Sequence, residues 1–71
     1  MAVEQLLVPN LIGDQSVRTI SAAVGALPGV RLVVVSLADK SVRVEHDGSV
    51  GLETLIQAIN DAGYNQVAVL A

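Results

Sequence analysis

The stretch from Val30 to His46, VRLVVVSLADKSVRVEH, decides the fold. Its first part, Val30 to Leu37, is apolar and rich in β-branched residues, which makes it the strongest strand in the chain. Ala38-Asp39-Lys40 interrupts the run as a tight turn. Ser41 to His46 then alternates, with Val42 and Val44 pointing one way and Arg43 and Glu45 the other. That is the pattern of a strand with one wet face. A hairpin therefore stands at the centre of the chain.

Upstream of it, Val17, Ile20, Val24 and Leu27 recur at helical spacing, and Leu27-Pro28-Gly29 stops the run. The periodicity starts this helix at Val17. Asp14 or Ser16 is placed to cap it by accepting a bond from a free backbone amide. Val3 to Pro9 is a short apolar segment closed by the turn signal Pro9-Asn10, a first strand. Downstream of the hairpin, Asp47-Gly48-Ser49 reads as a loop and a cap. Leu52, Leu55, Ile56, Ile59 and Ala62 mark a second amphipathic helix, with Gly63 where a left-handed residue follows a helix end. Val67 to Leu70 completes a last strand.

The order is β-α-β-β-α-β, two β-α-β halves joined by the hairpin. Right-handed crossovers leave strand order 4-1-3-2 as the natural arrangement. The expected architecture is α+β: a four-stranded antiparallel sheet with both helices on one face, the ferredoxin-like fold. It hosts many unrelated functions, so function must be argued from a site.

At 71 residues the chain is read as one domain, residues 1–71. A domain this small buries only about 60% of its unfolded surface and commonly needs a disulfide, a metal or a very apolar core. Cysteine is absent, which excludes disulfides and thiolate ligands, whereas 52% of the residues are hydrophobic. The net charge of -3 and the four cations Arg18, Arg31, Lys40 and Arg43 leave no basic stripe for nucleic acid. The longest apolar run, Leu32 to Val35, is far shorter than a membrane span. No basic segment followed by a long apolar one opens the chain, so a cytoplasmic location is expected. No nucleophile has an adjacent base, so an enzyme fits least, and no cofactor is expected.

In this topology three segments share one end of the domain: Asn10 to Ser16, the Asp39-Lys40 turn, and Asp61 to Asn65. His46 lies at the other end with Pro28-Gly29, alone, and reads as a solvated strand-end residue rather than a ligand.

Several stretches in the right order resemble one family. They are Val8-Pro9-Asn10-Leu11, Ala22-Ala23-Val24 with Leu27-Pro28-Gly29-Val30, Val33-Val35-Ser36-Leu37, Lys40 with Val42-Arg43-Val44, and Leu55, Ala58-Ile59 with Asp61-Ala62-Gly63-Tyr64. This set is similar to the heavy-metal-associated domains of copper chaperones and copper-transporting ATPases. The resemblance implies metal ion binding through two cysteines, two residues apart, at the start of the first helix. Aligning Leu11 with that family's methionine puts Gly13 and Ser16 at the cysteine positions. A glycine and an alcohol offer a soft ion nothing like a thiolate. The resemblance also implies that Tyr64 packs against the loop as a partial lid.

Two functional readings follow. One is a domain of this type that has lost its thiols and works as a protein-interaction or regulatory module. The other is a heavy-metal-binding or transport protein with an altered site, for which Asp14 and Asp61 are the candidate oxygen ligands, with Asp39 and Tyr64 at the same end. Strand 2 is an edge strand and carries Leu32 and Val34 on the face away from the helices, joined there by Leu7 of strand 1. An apolar edge guarded only by Arg31 invites a partner. A homodimer through that edge and face, or another protein, is the partner expected.

Overall fold

The computed structural model describes residues 2–70. The elements are β1 (Ala2–Leu7), α1 (Gly13–Gly25), β2 (Val30–Ser36), β3 (Ser41–His46), α2 (Leu52–Asp61) and β4 (Ala68–Val69). Every strand pair is antiparallel and the sheet order is β2-β3-β1-β4, the 4-1-3-2 order expected from the sequence. Alternation along the strands sends Leu6, Val42 and Val44 toward the helices. There they meet Ile20 and Val24 of α1, Leu55 and Ile59 of α2, and the loop residues Val8, Leu11 and Val50. Val33, Val35 and Leu37 pack against this core from the β2 side, as their spacing requires.

The ends of the elements depart from the sequence reading in instructive ways. β1 stops at Leu7, not Pro9, because the Val8 amide turns to the Lys40 carbonyl at 2.7 Å. The first helix begins at Gly13, four residues before Val17. Its first turn is polar and so invisible to apolar periodicity. Asp14 does not cap that helix: the N-cap is Ile12, with no side-chain cap, and Asp14 stands exposed in the first turn, where a carboxylate suits the helix dipole. The last strand shortens to Ala68–Val69.

The loop before α2 is also not a cap. The N-cap is Gly51, and Ser49 instead bonds back to Asp47, whose carboxylate accepts the Ser49 hydroxyl at 2.6 Å and its amide at 2.9 Å. Those two bonds, the hydroxyl foremost, hold the Asp47 carboxyl below its ordinary range. At the other end of α2, Gly63 has φ +105, the left-handed residue expected there. Its amide reaches the Asn60 carbonyl at 2.9 Å and the Tyr64 amide reaches the Ile59 carbonyl at 3.2 Å. This is a Schellman termination, and it swings Tyr64 back toward α1.

His46 is not a solvated strand-end residue. It keeps the parity of Val42 and Val44, faces the helices and is 3% exposed. Its Nδ1 accepts the Gly48 amide at 3.1 Å, and its Nε2 lies 3.3 Å from Glu4 Oε2. With Nδ1 occupied as an acceptor, Nε2 is the nitrogen left to donate to Glu4. Burial is tolerated because both ring nitrogens are satisfied. His46 does lie at the end of the sheet opposite the first loop, paired with Ala2 and Val30.

Candidate functional site

The three segments expected at one end do meet there. Leu11 is fully buried and pins the loop after β1 to the core. Its amide returns to the Val8 carbonyl at 3.2 Å, closing a tight bend. Lys40, in the β2–β3 turn, straps this bend twice. Its backbone carbonyl takes the Val8 amide, and its Nζ donates to the Leu11 carbonyl at 2.6 Å. Lys40 holds φ +55, an uncommon conformation for a residue with a side chain.

Ile12 follows at the tip, 75% exposed, and Gly13 then enters α1 with φ +73. A Cβ at Gly13 would meet nothing within 4 Å, so the position requires glycine for its dihedral and not for space.

Ser16 is the centre of the arrangement. It is 6% exposed, and its Oγ donates to the Ile12 carbonyl at 3.0 Å. The same oxygen accepts the Ile12 amide at 3.1 Å and the Tyr64 hydroxyl at 2.8 Å. A hydroxyl has one proton and two lone pairs, and all three are used here. Tyr64 thus does lie against the loop, held by Gly63 behind it and Ser16 in front. Removing this bond with Tyr64→Phe is expected to cost about 1 kcal/mol, the net worth of one such bond. In urea that is a midpoint lower by about 1 M for a chain this size. An unchanged midpoint would mean the bond contributes nothing.

The acids do not converge on this loop. Asp14 is exposed on the first turn of α1, and Asp39 is engaged by Ser36 within its own turn. Asp61 accepts a hydrogen bond from the Gln57 side-chain Nε2 at 2.9 Å and lines an open groove with Leu27, Glu53 and Gln57. Among the described residues no three of His, Cys, Asp or Glu are grouped to hold a metal ion. The donors present do not fit Cu(I): Gly13 has no side chain, and Ser16 offers no sulfur and no free lone pair. What the sequence does not signal is the saturation of Ser16, because Tyr64 lies 48 residues away along the chain.

The far side of the sheet keeps the expected parity. Leu32 and Val34 lie on the face away from the helices, each 47% exposed, while Leu7 is half-buried between Ser41 and Ala68. β2 is an edge strand and carries an irregularity in register between Val30 and Leu32. Among the described residues no helix is long and apolar enough to cross a membrane.

The model of the heavy-metal-associated domain matches residues 5–65. Among solved structures, apo-CopP from Helicobacter pylori is 31% identical over 94% of this chain and 100% of its own, with a TM-score of 0.84. A copper binding domain from HMA7, a P-type ATPase, is 26% identical over 100% of this chain and 96% of its own, with a TM-score of 0.92. A chain of the Atx1-Cu(I)-Ccc2a complex is 25% identical over 97% of this chain and 94% of its own, with a TM-score of 0.86. No curated protein matches the sequence.

Proposed function

The chain belongs to the heavy-metal-associated domain family, and from that premise we propose that it is a member without the thiolate site, working as a protein-interaction or regulatory module through its surfaces. The saturation of Ser16 Oγ supports this most directly. In the family-based alignment Ser16 stands at one of the two ligand positions, yet its proton and both lone pairs already serve Ile12 and Tyr64. The loop is closed from within. Hydrogen bonds and the Lys40 strap do the work of holding its shape that a bridging metal would otherwise share.

An enzyme is disfavoured by the same geometry. Ser16 has a phenol and a peptide unit as partners and no base, and His46 is committed to Glu4 at the opposite end of the sheet. Partner binding is supported by the likeness to a chain of the Atx1-Cu(I)-Ccc2a complex, an assembly of two proteins. At the loop end this chain presents Ile12, apolar and open.

The competing reading is an altered oxygen site at Asp14 and Asp61. Titration of the labelled protein with Mg²⁺, Ca²⁺, Zn²⁺ and Ni²⁺, followed by amide NMR, separates the two. Small unsaturable shifts spread over the acidic surface are expected. A saturable response confined to Asp14, Asp61 and the loop between Asn10 and Ser16 would replace the present reading with an altered metal site.

A further inference from the structure

The open face of the sheet has a pattern that is complementary to itself. Its side chains fall into rows fixed by the strand register. One row is Leu32 on β2, Glu45 on β3 and Val3 on β1. The next is Val34, Arg43 and Gln5, and Leu70 joins it because its backbone N–H donates a hydrogen bond to the Gln5 carbonyl at 2.8 Å. Arg43 and Glu45 thus sit side by side at the middle, 3.9 Å apart, with apolar side chains on either flank. Val3, Leu32, Val34 and Leu70 are each about half exposed, at 46%, 47%, 47% and 51%. Among the described residues no helix covers this side.

Resting on the surface reading above, we infer that the partner of this face is a second copy of the chain, packed sheet to sheet about a two-fold axis. The axis runs across the strands, midway between the two rows. That placement lays β3 over β3 in reversed direction, so Arg43 of each copy faces Glu45 of the other. It also lays β2 over β2, so Leu32 faces Val34 twice. An axis along β3 would instead stack Arg43 on its own counterpart, and like charges facing each other select against it. A two-fold interface must be complementary to itself, and the register supplies that property. Twist in each sheet sets the two at about −30°, which keeps the central rows opposed while the corners diverge.

Size sets the strength. The molecule measures 29 × 22 × 18 Å, which limits the face to roughly 640 Å², below the ~800 Å² per partner of a standard interface. The dimer is therefore weak and forms toward the upper end of the working concentration range. The register irregularity beside Arg31 disturbs the edge of β2, which favours a face-to-face mode over extension of the sheet from strand to strand.

Sedimentation equilibrium from micromolar to millimolar protein tests the arrangement with two charge reversals. Arg43 is 55% and Glu45 23% exposed at the side chain, so far-UV dichroism is expected to be unchanged in both variants. The unmodified chain should dimerise with concentration. Arg43→Glu alone places Glu against Glu, and Glu45→Arg alone places Arg against Arg. Each should weaken the dimer at least tenfold. An equimolar mixture of the two restores both contacts, and so does the double variant R43E/E45R. Both should dimerise like the unmodified protein. A monomer throughout the range overturns the inference while leaving the module reading intact. A dimer indifferent to the single reversals, or not rescued in the mixture, also overturns it, since the contact then lies elsewhere. Metal uptake at the loop would defeat the module reading without bearing on this face.

Discussion

Replacing Gly13 and Ser16 together by cysteine is expected to give a chain that has no cysteine the thiol pair of its family, and with it one bound Cu(I) per molecule. Two thiols would then stand at the mouth of α1, where the helix dipole and the nearby Lys40 ammonium favour thiolates. Cu(I) is soft and prefers sulfur. The apo variant should be less stable than the unmodified protein, for two separable reasons. Gly13 holds φ +73, and a residue with a side chain there costs about 1–2 kcal/mol, although its Cβ has room. Cysteine at 16 is a weak donor and acceptor, so the Ile12 and Tyr64 bonds lose most of their worth, about 1 kcal/mol each. Copper should restore much of the loss, because a ligand bound only by the folded state at a hundredfold excess over its dissociation constant returns about 2.7 kcal/mol. Thermal melts with and without Cu(I) check this: a low melting point for the apo variant, raised on loading. A variant that folds, melts as before and remains empty would mean that positions 13 and 16 do not face each other as placed.

The largest loss of stability is expected from the core. Ile59 is fully buried on α2, among the residues that join the helices to the sheet. Ile59→Ala removes that side chain and leaves a cavity, a change that costs roughly 2–5 kcal/mol. A chain of 71 residues has only about 4–11 kcal/mol in total at the usual figure per residue. No disulfide supports it. The urea midpoint should fall by about 3 M, taking a slope of roughly 1 kcal/mol per molar, and a fraction of the protein should be unfolded at 37 °C. Ile12→Ala is the control, since Ile12 is 75% exposed and surface changes of this kind stay within about 0.5 kcal/mol. Equal effects from the two would contradict the description of the core.

Much of this architecture is written locally in the chain. The hairpin pairs a β-branched apolar run from Val30 with the clean alternation of Ser41 to His46, Pro28-Gly29 and Gly63 mark helix ends, and these signals sufficed for the order of strands and the end where the loops gather. The beginning of α1 was not legible, because Gly13, Asp14, Gln15 and Ser16 offer no apolar stripe and the helix starts without a side-chain cap. The burial of His46 was legible in principle: positions 42, 44 and 46 share one face, and the strand-end position masked that parity. Its partner Glu4 shares the parity of Leu6 in the same way. The closure of the loop was not legible by any local rule. Ser16 meets Tyr64 only because a Schellman turn at Gly63 aims the phenol across the domain, and the Lys40 strap spans 29 residues.

The family resemblance carried the loop as far as naming Gly13 and Ser16. The structure adds that the serine oxygen is fully engaged, by Ile12 and Tyr64. Titration of the unmodified chain with Cu(I), read by native mass spectrometry beside competition with a chromophoric chelator, tests that directly. The chelator should retain its copper and the protein should show no specific one-to-one adduct. A stoichiometric complex of micromolar affinity or tighter, with the Tyr64–Ser16 contact broken on loading, would contradict the account.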